Sequence, residues 1–157
     1  VGIVGAKLLY PDRSIQHAGV VIGLGGVAGH VFSTYPGNYM GCNGRAQLQQ
    51  TVGGVTAACL MVSREVFEEV GRLEEDIAVA FNDVDFCLKV RKAGYRIMYE
   101  PWVVLNHYES KSRGAEDTPE KQARFVGEVH YMEHKWGEEL TKGDPYYGKN
   151  CLMELKL

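Results

Sequence analysis

An α/β fold is what the sequence predicts, and two observations predict it. Apolar strand patterns open the chain at Val1 to Leu9 and recur at Val52 to Val62 and from Tyr95 to Leu105. Helical patterns are interleaved with them, after Ser63, after Phe81 and after Thr118. Strands and helices that alternate along a chain bury their apolar faces against each other in layers. With 157 residues, 45% of them hydrophobic, the chain is long enough for one ordinary core, so residues 1–157 are expected to form a single domain.

The elements follow in order. Val1 to Leu9 is a strand pattern, and the turn chemistry of Pro11-Asp12-Arg13-Ser14 should return the chain as Ile15 to Ile22. Gly23 to Gly44 is too rich in glycine for a helix and too rich in aromatics for a flexible linker, which makes it an ordered functional loop. The nearly uncharged run Val52 to Val62 fits a strand buried on both faces. Ser63 is a good N-cap for a short helix through Val70, stopped at Gly71. An acidic loop, Arg72 to Val79, precedes a second helix capped by Asn82 and ended by Gly94. Strand material then runs from Tyr95 to Leu105, interrupted at Pro101, and delivers His107. Thr118 and Pro119 open a third helix with an amphipathic stripe of Phe125, Val129, Met132 and Trp136, expected to end before Gly137.

Composition excludes several classes. No apolar run approaches the ~20 residues of a membrane helix, and Val1 to Gly5 has neither the charged region nor the cleavage site of a signal peptide. The net charge is -3, and no basic cluster is present to track a phosphate backbone, so nucleic acid is not an expected partner. Cys42, Cys59, Cys87 and Cys151 form no C-x-x-C pair and read as reduced thiols of a cytoplasmic protein.

Two motif matches fail on context. Gly23-Leu24-Gly25-Gly26-Val27-Ala28 follows a strand and spells a dinucleotide fingerprint, but no helix pattern follows it and no acid lies between Arg13 and Arg64 to take a ribose. His130-Tyr131-Met132-Glu133-His134 spells an inverted zinc-hydrolase motif, yet no third ligand on a separate element is evident, and Met132 in the buried stripe turns both histidines toward the margins.

What remains is a carboxylate and an imidazole. Asp83 and Asp85 project about 200° apart on a helix of 3.6 residues per turn, so they cannot share one ligand. Asp85 suits the free N–H groups and positive dipole end of the helix. Asp83 has two readings, a second acid favoured by the helix start or a general base facing a cleft. On sequence physics alone the first has the edge. His107 is either a metal ligand or an ordinary loop histidine, with Arg113 positioned for an anionic group. His17 and His30 flank the glycine-rich segment, where sugar or peptide hydroxyls could bind.

The runs VGIVGAKLLYPDRSIQHAGVVIG, TAACLMVSREVFEEVGRLEED, FNDVDFCLKVRKAGYRIMYEP and NHYESKSRG, in this order, resemble the C-terminal half of inverting family 2 glycosyltransferases, particularly rhamnosyltransferase-like members. The resemblance implies a partial GT-A fold, a mixed β-sheet flanked by helices, lacking the N-terminal nucleotide-binding half, together with a nucleotide-sugar donor, a glycan acceptor and a role in cell-surface polysaccharide synthesis. It implies that Asp83 is the general base toward the acceptor hydroxyl and that His107 completes a divalent metal site, Mn or Mg, serving the diphosphate leaving group. Arg113 would touch that diphosphate, and Asn82 and His17 would lie on the acceptor side. Asn82 stands where the family usually has Glu. A chain of this extent is expected to be inactive alone and not to retain the metal, the parent protein working in the cytoplasm at the inner face of the membrane. The alternative is a non-catalytic carbohydrate-binding or assembly module.

Overall fold

A computed structural model of the chain describes residues 1–77, 79–108 and 118–148. Among them are seven strands, β1 (Ile3–Leu9), β2 (Ile15–His17), β3 (Val20–Ile22), β4 (Ala28–His30), β5 (Gln50–Thr51), β6 (Leu60–Val62) and β7 (Ile97–Asn106). The α-helices are α1 (Arg64–Glu69), α2 (Asn82–Lys92) and α3 (Pro119–Lys142). The architecture is the expected one, a mixed sheet flanked by helices, consistent with part of a nucleotide-sugar transferase fold.

The apolar strand β1 lies at the centre of the main sheet. Parallel β7 fills one of its edges, while antiparallel β6 and β2 share the other, β6 against Ile3 to Gly5 and β2 against Leu8 and Leu9. β5 pairs antiparallel with β7 at Tyr99 and Met98, and β3 and β4 form a separate antiparallel pair. Between Glu100 and Val104 the register of β7 against β1 slips, so Pro101, Trp102 and Val103 bulge out of the ladder. Proline has no N–H to give to a ladder, which accounts for the interruption expected there.

Two buried clusters form the interior. One joins Ile3, Leu9, Ile15, Phe32, Val55, Phe86, Ile97 and Tyr99, and the other joins Ile22, Ile77, Val84, Leu88, Met132, Trp136 and Leu140. Helix α2 serves both, with Phe86, Cys87 and Val90 toward the sheet and Val84 and Leu88 toward α3.

Four local expectations are corrected. The return after the first turn is two strands, because Gly19 at φ 111° diverts the chain from the main sheet after His17. The Val52 to Val62 run is not one strand. Val52 to Val55 are buried, but Val52 donates to Ile97 of the main sheet while Gly54 pairs with Val20 of β3, and the chain then turns at Ala57 and Ala58 before β6. The cap of α2 is Phe81, in left-handed conformation at φ 62°, and Asn82 is the first helical residue. Helix α3 loosens at Trp136 but does not end there, because Leu140 continues the buried stripe for another turn. The caps at Ser63 and Thr118 form as expected, accepting from the backbone N–H groups of Val66 and Lys121. Among the described residues no helix is long and apolar enough to cross a membrane.

Candidate functional site

Residues at the C-terminal ends of parallel strands line the sites of most open α/β sheets. His107 occupies that position here: it follows β7 directly, and its backbone N–H donates to the Leu9 carbonyl at 2.9 Å, fixing it at the shared end of β1 and β7. Beside it opens a cleft of about 590 Å³ whose polar lining includes Gln16, His30, Thr56, Asp83 and His107. Phe81 and Phe125, their rings 5.6 Å apart, form part of its apolar wall.

Asp83 sits in the first turn of α2 with its carboxylate at the positive end of the helix. One oxygen accepts from its neighbour Val84 N–H at 2.9 Å, the other from Ala57 N–H at 3.1 Å across the cleft floor. A carboxylate has about four lone-pair positions, so this anchoring still leaves capacity for a ligand hydroxyl. His107 is half-buried, and its Nδ1 lies 2.7 Å from the nitrogen and 3.0 Å from the oxygen of the Gln16 amide, which fixes the ring in the cleft lining.

Asp85 has a different task from the one its position suggested. It makes no capping bond; it is fully buried, and its carboxylate takes Trp136 Nε1 at 2.8 Å, Lys135 Nζ at 2.8 Å and Lys89 Nζ at 3.0 Å. Lys135 also reaches Glu74 at 2.6 Å. Burial works against the Lys135 charge, but its hydrogen bonds to Asp85, Glu74 and Tyr131 prevail and hold the pKa above its ordinary value. The hydrogen bonds from Lys135 and Tyr131 in turn hold Glu74 down to about 2. A second buried acid on α3, Glu128, accepts from the backbone N–H groups of Val79 at 3.0 Å and Ala80 at 2.9 Å, so α3 also fixes the loop that walls the cleft.

The remaining residues singled out in the sequence are dispersed. His17 is fully buried and exposes no atom to the cleft, whereas His30, bonded to it at 2.9 Å, does line it. Asn82 points away, donating to the carbonyls of Glu74 and Ile77 and so pinning the acidic loop. Arg113 lies outside the described residues. His130 and His134 are exposed on α3. The glycine run after β3 makes one 3₁₀ turn at Leu24–Gly26 and leads into the antiparallel strand β4, so no α-helix start follows it. Cys59 and Cys87 are free thiols, and burial pushes Cys87 up to about 12, but Cys42 is disulfide-bonded, which corrects the expectation that every thiol is reduced. A larger cavity, about 700 Å³, lies beside Lys7 and Arg13 and contains none of the residues singled out.

No family model matches the chain. Over 155 residues, 98% of its length, it is 56% identical to the uncharacterized protein y4gI of Sinorhizobium fredii, and over 154 residues it is 38% identical to the O-antigen biosynthesis protein RfbC of Myxococcus xanthus. A stretch of 66 residues, 42% of the chain, is 32% identical to an N-acetylglucosaminyl-diphospho-decaprenol L-rhamnosyltransferase of Mycobacterium tuberculosis, of which it covers 22%. The chain is similar to an O-antigen biosynthesis protein and to a rhamnosyltransferase. It spans only 17% and 12% of the two curated relatives that it matches along almost its whole length.

Gln16, the partner of His107, was missed in the sequence, although a signal for it existed. Side chains two apart on a strand share a face, so core Ile15 puts His17 inward and leaves Gln16 to the other side, toward the cleft.

Proposed function

We propose that the chain is the acceptor-side part of a GT-A catalytic domain of an inverting, family 2-like glycosyltransferase, whose whole protein transfers a sugar from a nucleotide-sugar donor to a glycan acceptor in cell-surface polysaccharide synthesis. The observation that carries this reading is the carboxylate of Asp83, anchored by two backbone N–H groups at a helix start and open to the same cleft as His107 and His30. The similarity to proteins named for O-antigen biosynthesis and rhamnosyl transfer supports it.

In the proposed step an acceptor hydroxyl gives its proton to Asp83 as its oxygen bonds to the anomeric carbon. The bond from that carbon to the nucleotide diphosphate breaks on the opposite face, the electron pair leaves with the diphosphate, and configuration inverts. Positioned bases of this kind contribute about 10² to 10⁴ in rate. Fixing the carboxylate through Ala57 and Val84 sets its direction before the acceptor arrives.

A divalent Mn or Mg ion would neutralise the departing diphosphate. Among the described residues no three His, Cys, Asp or Glu side chains converge as a ligand set, and the imidazole at the shared end of β1 and β7 is His107. The described residues therefore do not assemble that site by themselves. His107 and Gln16 fit a role in orienting a polar ligand group at the cleft rim.

The test is Asp83→Asn in the full-length gene product that carries this chain. Transfer from a nucleotide-sugar to a glycan acceptor should fall about a thousandfold with donor affinity unchanged. Retained turnover sinks the assignment. Absence of transfer by the unsubstituted protein, together with glycan-array binding that survives Asp83→Asn, would instead support a carbohydrate-binding module.

A further inference from the structure

Lys7 stands in the middle of the apolar central strand β1, between Ala6 and Leu8, and is only 2% exposed. Lysine is almost never buried so fully unless it is paired, yet no carboxylate of a described residue pairs with its Nζ. The ammonium donates instead to two carbonyls, that of Gly37 at 2.7 Å and that of Ala46 at the long distance of 3.5 Å. Each already has a neutral donor: Gln47 Nε2 reaches the Gly37 oxygen at 3.3 Å, and the Tyr99 hydroxyl reaches the Ala46 oxygen at 3.1 Å. Tying these loops down therefore does not require a charge. An ammonium has three N–H donors, so at least one remains, and a buried cation without a counter-charge is costly. Burial holds the Lys7 pKa below its ordinary 10.5, the mark of that missing partner.

Side chains two apart on a strand share a face. On this face Lys7 and Leu9 line a cavity of about 700 Å³ that also takes in Gly37 and Gln47, so the ammonium stands in its wall. Ligand pockets commonly run from about 300 to 1,000 Å³. Arg13 at the rim adds a second positive charge and has no ion-pair partner among the described residues. Asp12, also at the rim, is exposed and screened by water, whereas the charge of Lys7 acts from a drier place. Its Oδ1 accepts from the Ser14 N–H at 2.9 Å and from the Ser14 hydroxyl at 2.6 Å. The rim is rigid: Arg13 and Thr34 hold left-handed conformations at φ 70° and 69°, and the Arg13 carbonyl accepts from the Gly37 N–H at 3.0 Å. Non-glycine residues held in this way cluster at ligand clamps. Among the described residues none lines both this cavity and the Asp83 cleft.

We propose that this cavity is a second binding site, for a hydroxylated ligand carrying an oxyanion, a sugar acid or a sugar phosphate. Lys7 and Arg13 hold the oxyanion, and Asp12, Asn38 and Gln47 accept from the hydroxyl groups. The oxyanion supplies the counter-charge that the fold withholds from Lys7, and hydrogen bonds between ionised partners are the strong kind. Carboxylate and amide oxygens at the rim have lone pairs to spare for hydroxyl donors, so a hydroxylated body fits better than a bare ion. The site stands apart from Asp83 and does not depend on the transferase reading.

The test is to titrate the 157-residue chain with glucuronate, glucose 1-phosphate and glucose while NMR follows the Nζ and Cε resonances of Lys7. At least one charged sugar should shift those resonances and raise the pH at which Lys7 titrates, because a bound anion favours the ammonium. Glucose should bind about tenfold more weakly or not at all, lacking the charged hydrogen bond. Which of the two charged sugars binds tells carboxylate from phosphate. Lys7→Met should weaken the binding on the order of tenfold without lowering the urea midpoint, since methionine replaces the stem and removes a buried unpaired charge. Arg13→Ala, at the exposed rim, should weaken it less. Lys7 resonances unmoved by either charged sugar overturn the proposal even if Lys7→Met fails to fold, and so does glucose binding as tightly as both. The same titration on the full-length gene product adds one more arm. Binding that is present in the 157-residue chain and lost there would mean that a carboxylate of the longer polypeptide pairs with Lys7, which also overturns a small-molecule site.

Discussion

Asp83 and Asp85 look alike in the sequence and separate completely in the fold. The 200° between them was legible from helix geometry, and it sends one carboxylate to a cleft and the other to the interface with α3. What Asp85 meets there was not legible, because its partners Lys135 and Trp136 lie about fifty positions along the chain and nothing local announces them. Burying a carboxylate is costly unless it is paired and hydrogen-bonded, and Asp85 is both. Asp85→Ala should therefore destabilise the chain by about 3 kcal/mol, since it strands Trp136 Nε1 and two ammonium groups that remain partly solvated. Asp85→Asn, which keeps an acceptor for Trp136, should cost less. Urea unfolding midpoints measure both, and equal losses would show that the indole bond contributes nothing. The same contrast applies to His17 and Gln16: strand alternation makes their opposite orientations readable, but the pairing of Gln16 with His107 spans 91 residues and emerges only from topology.

Helices were more legible than strands, for a physical reason. Ser63 and Thr118 cap through their own side chains, and the 3.6-residue stripe of α3 is a local pattern. The Val52 to Val62 run misleads because an uncharged segment can be buried without belonging to one ladder; here it crosses between sheets and is held where β1 passes close by. That crossing depends on Gly5. A Cβ added there would lie 2.5 Å from Val55 Cβ and 2.6 Å from its Cγ1, well inside contact distance, and both residues are in the core. Gly5→Ala should cost about 1–3 kcal/mol, the range for overpacking a well-filled interior. Val55→Ala removes both Cγ methyls but keeps the nearest clashing atom, Cβ, so the double variant should recover part of the loss and be less destabilised than the sum of the two singles. Thermal or urea denaturation of the four proteins gives the coupling, and simple additivity would mean that the strands separate independently of this contact.

At the scale of the whole molecule, α2 joins two buried clusters, and one of them exists only while α3 stays docked. Apolar burial of Met132, Trp136 and Leu140 supplies the bulk of that docking, but Glu74, Lys135 and Asp85 set its register through ion pairs. One of those pairs and one buried imidazole make stability depend on acid in a defined way. His17 is held well below 6.5 by burial and by His30, so the unfolded chain gains a proton that the native state refuses, and stability begins to fall as pH drops through 6.5. Glu74 is held at about 2 by Lys135 and Tyr131, against an ordinary value of 4.5. Its contribution is complete above 4.5 and is lost as pH falls from there toward 2. Urea midpoints measured from pH 8 to pH 2.5 should therefore decline in two stages, and Glu74→Gln should flatten the lower stage while leaving the upper one in place. Because Lys135 is the largest influence on Glu74, Lys135→Met should flatten the same stage. If both variants keep the full slope below pH 4.5, the acid sensitivity belongs to other carboxylates and the ionic seam does not hold α3 to the rest of the fold.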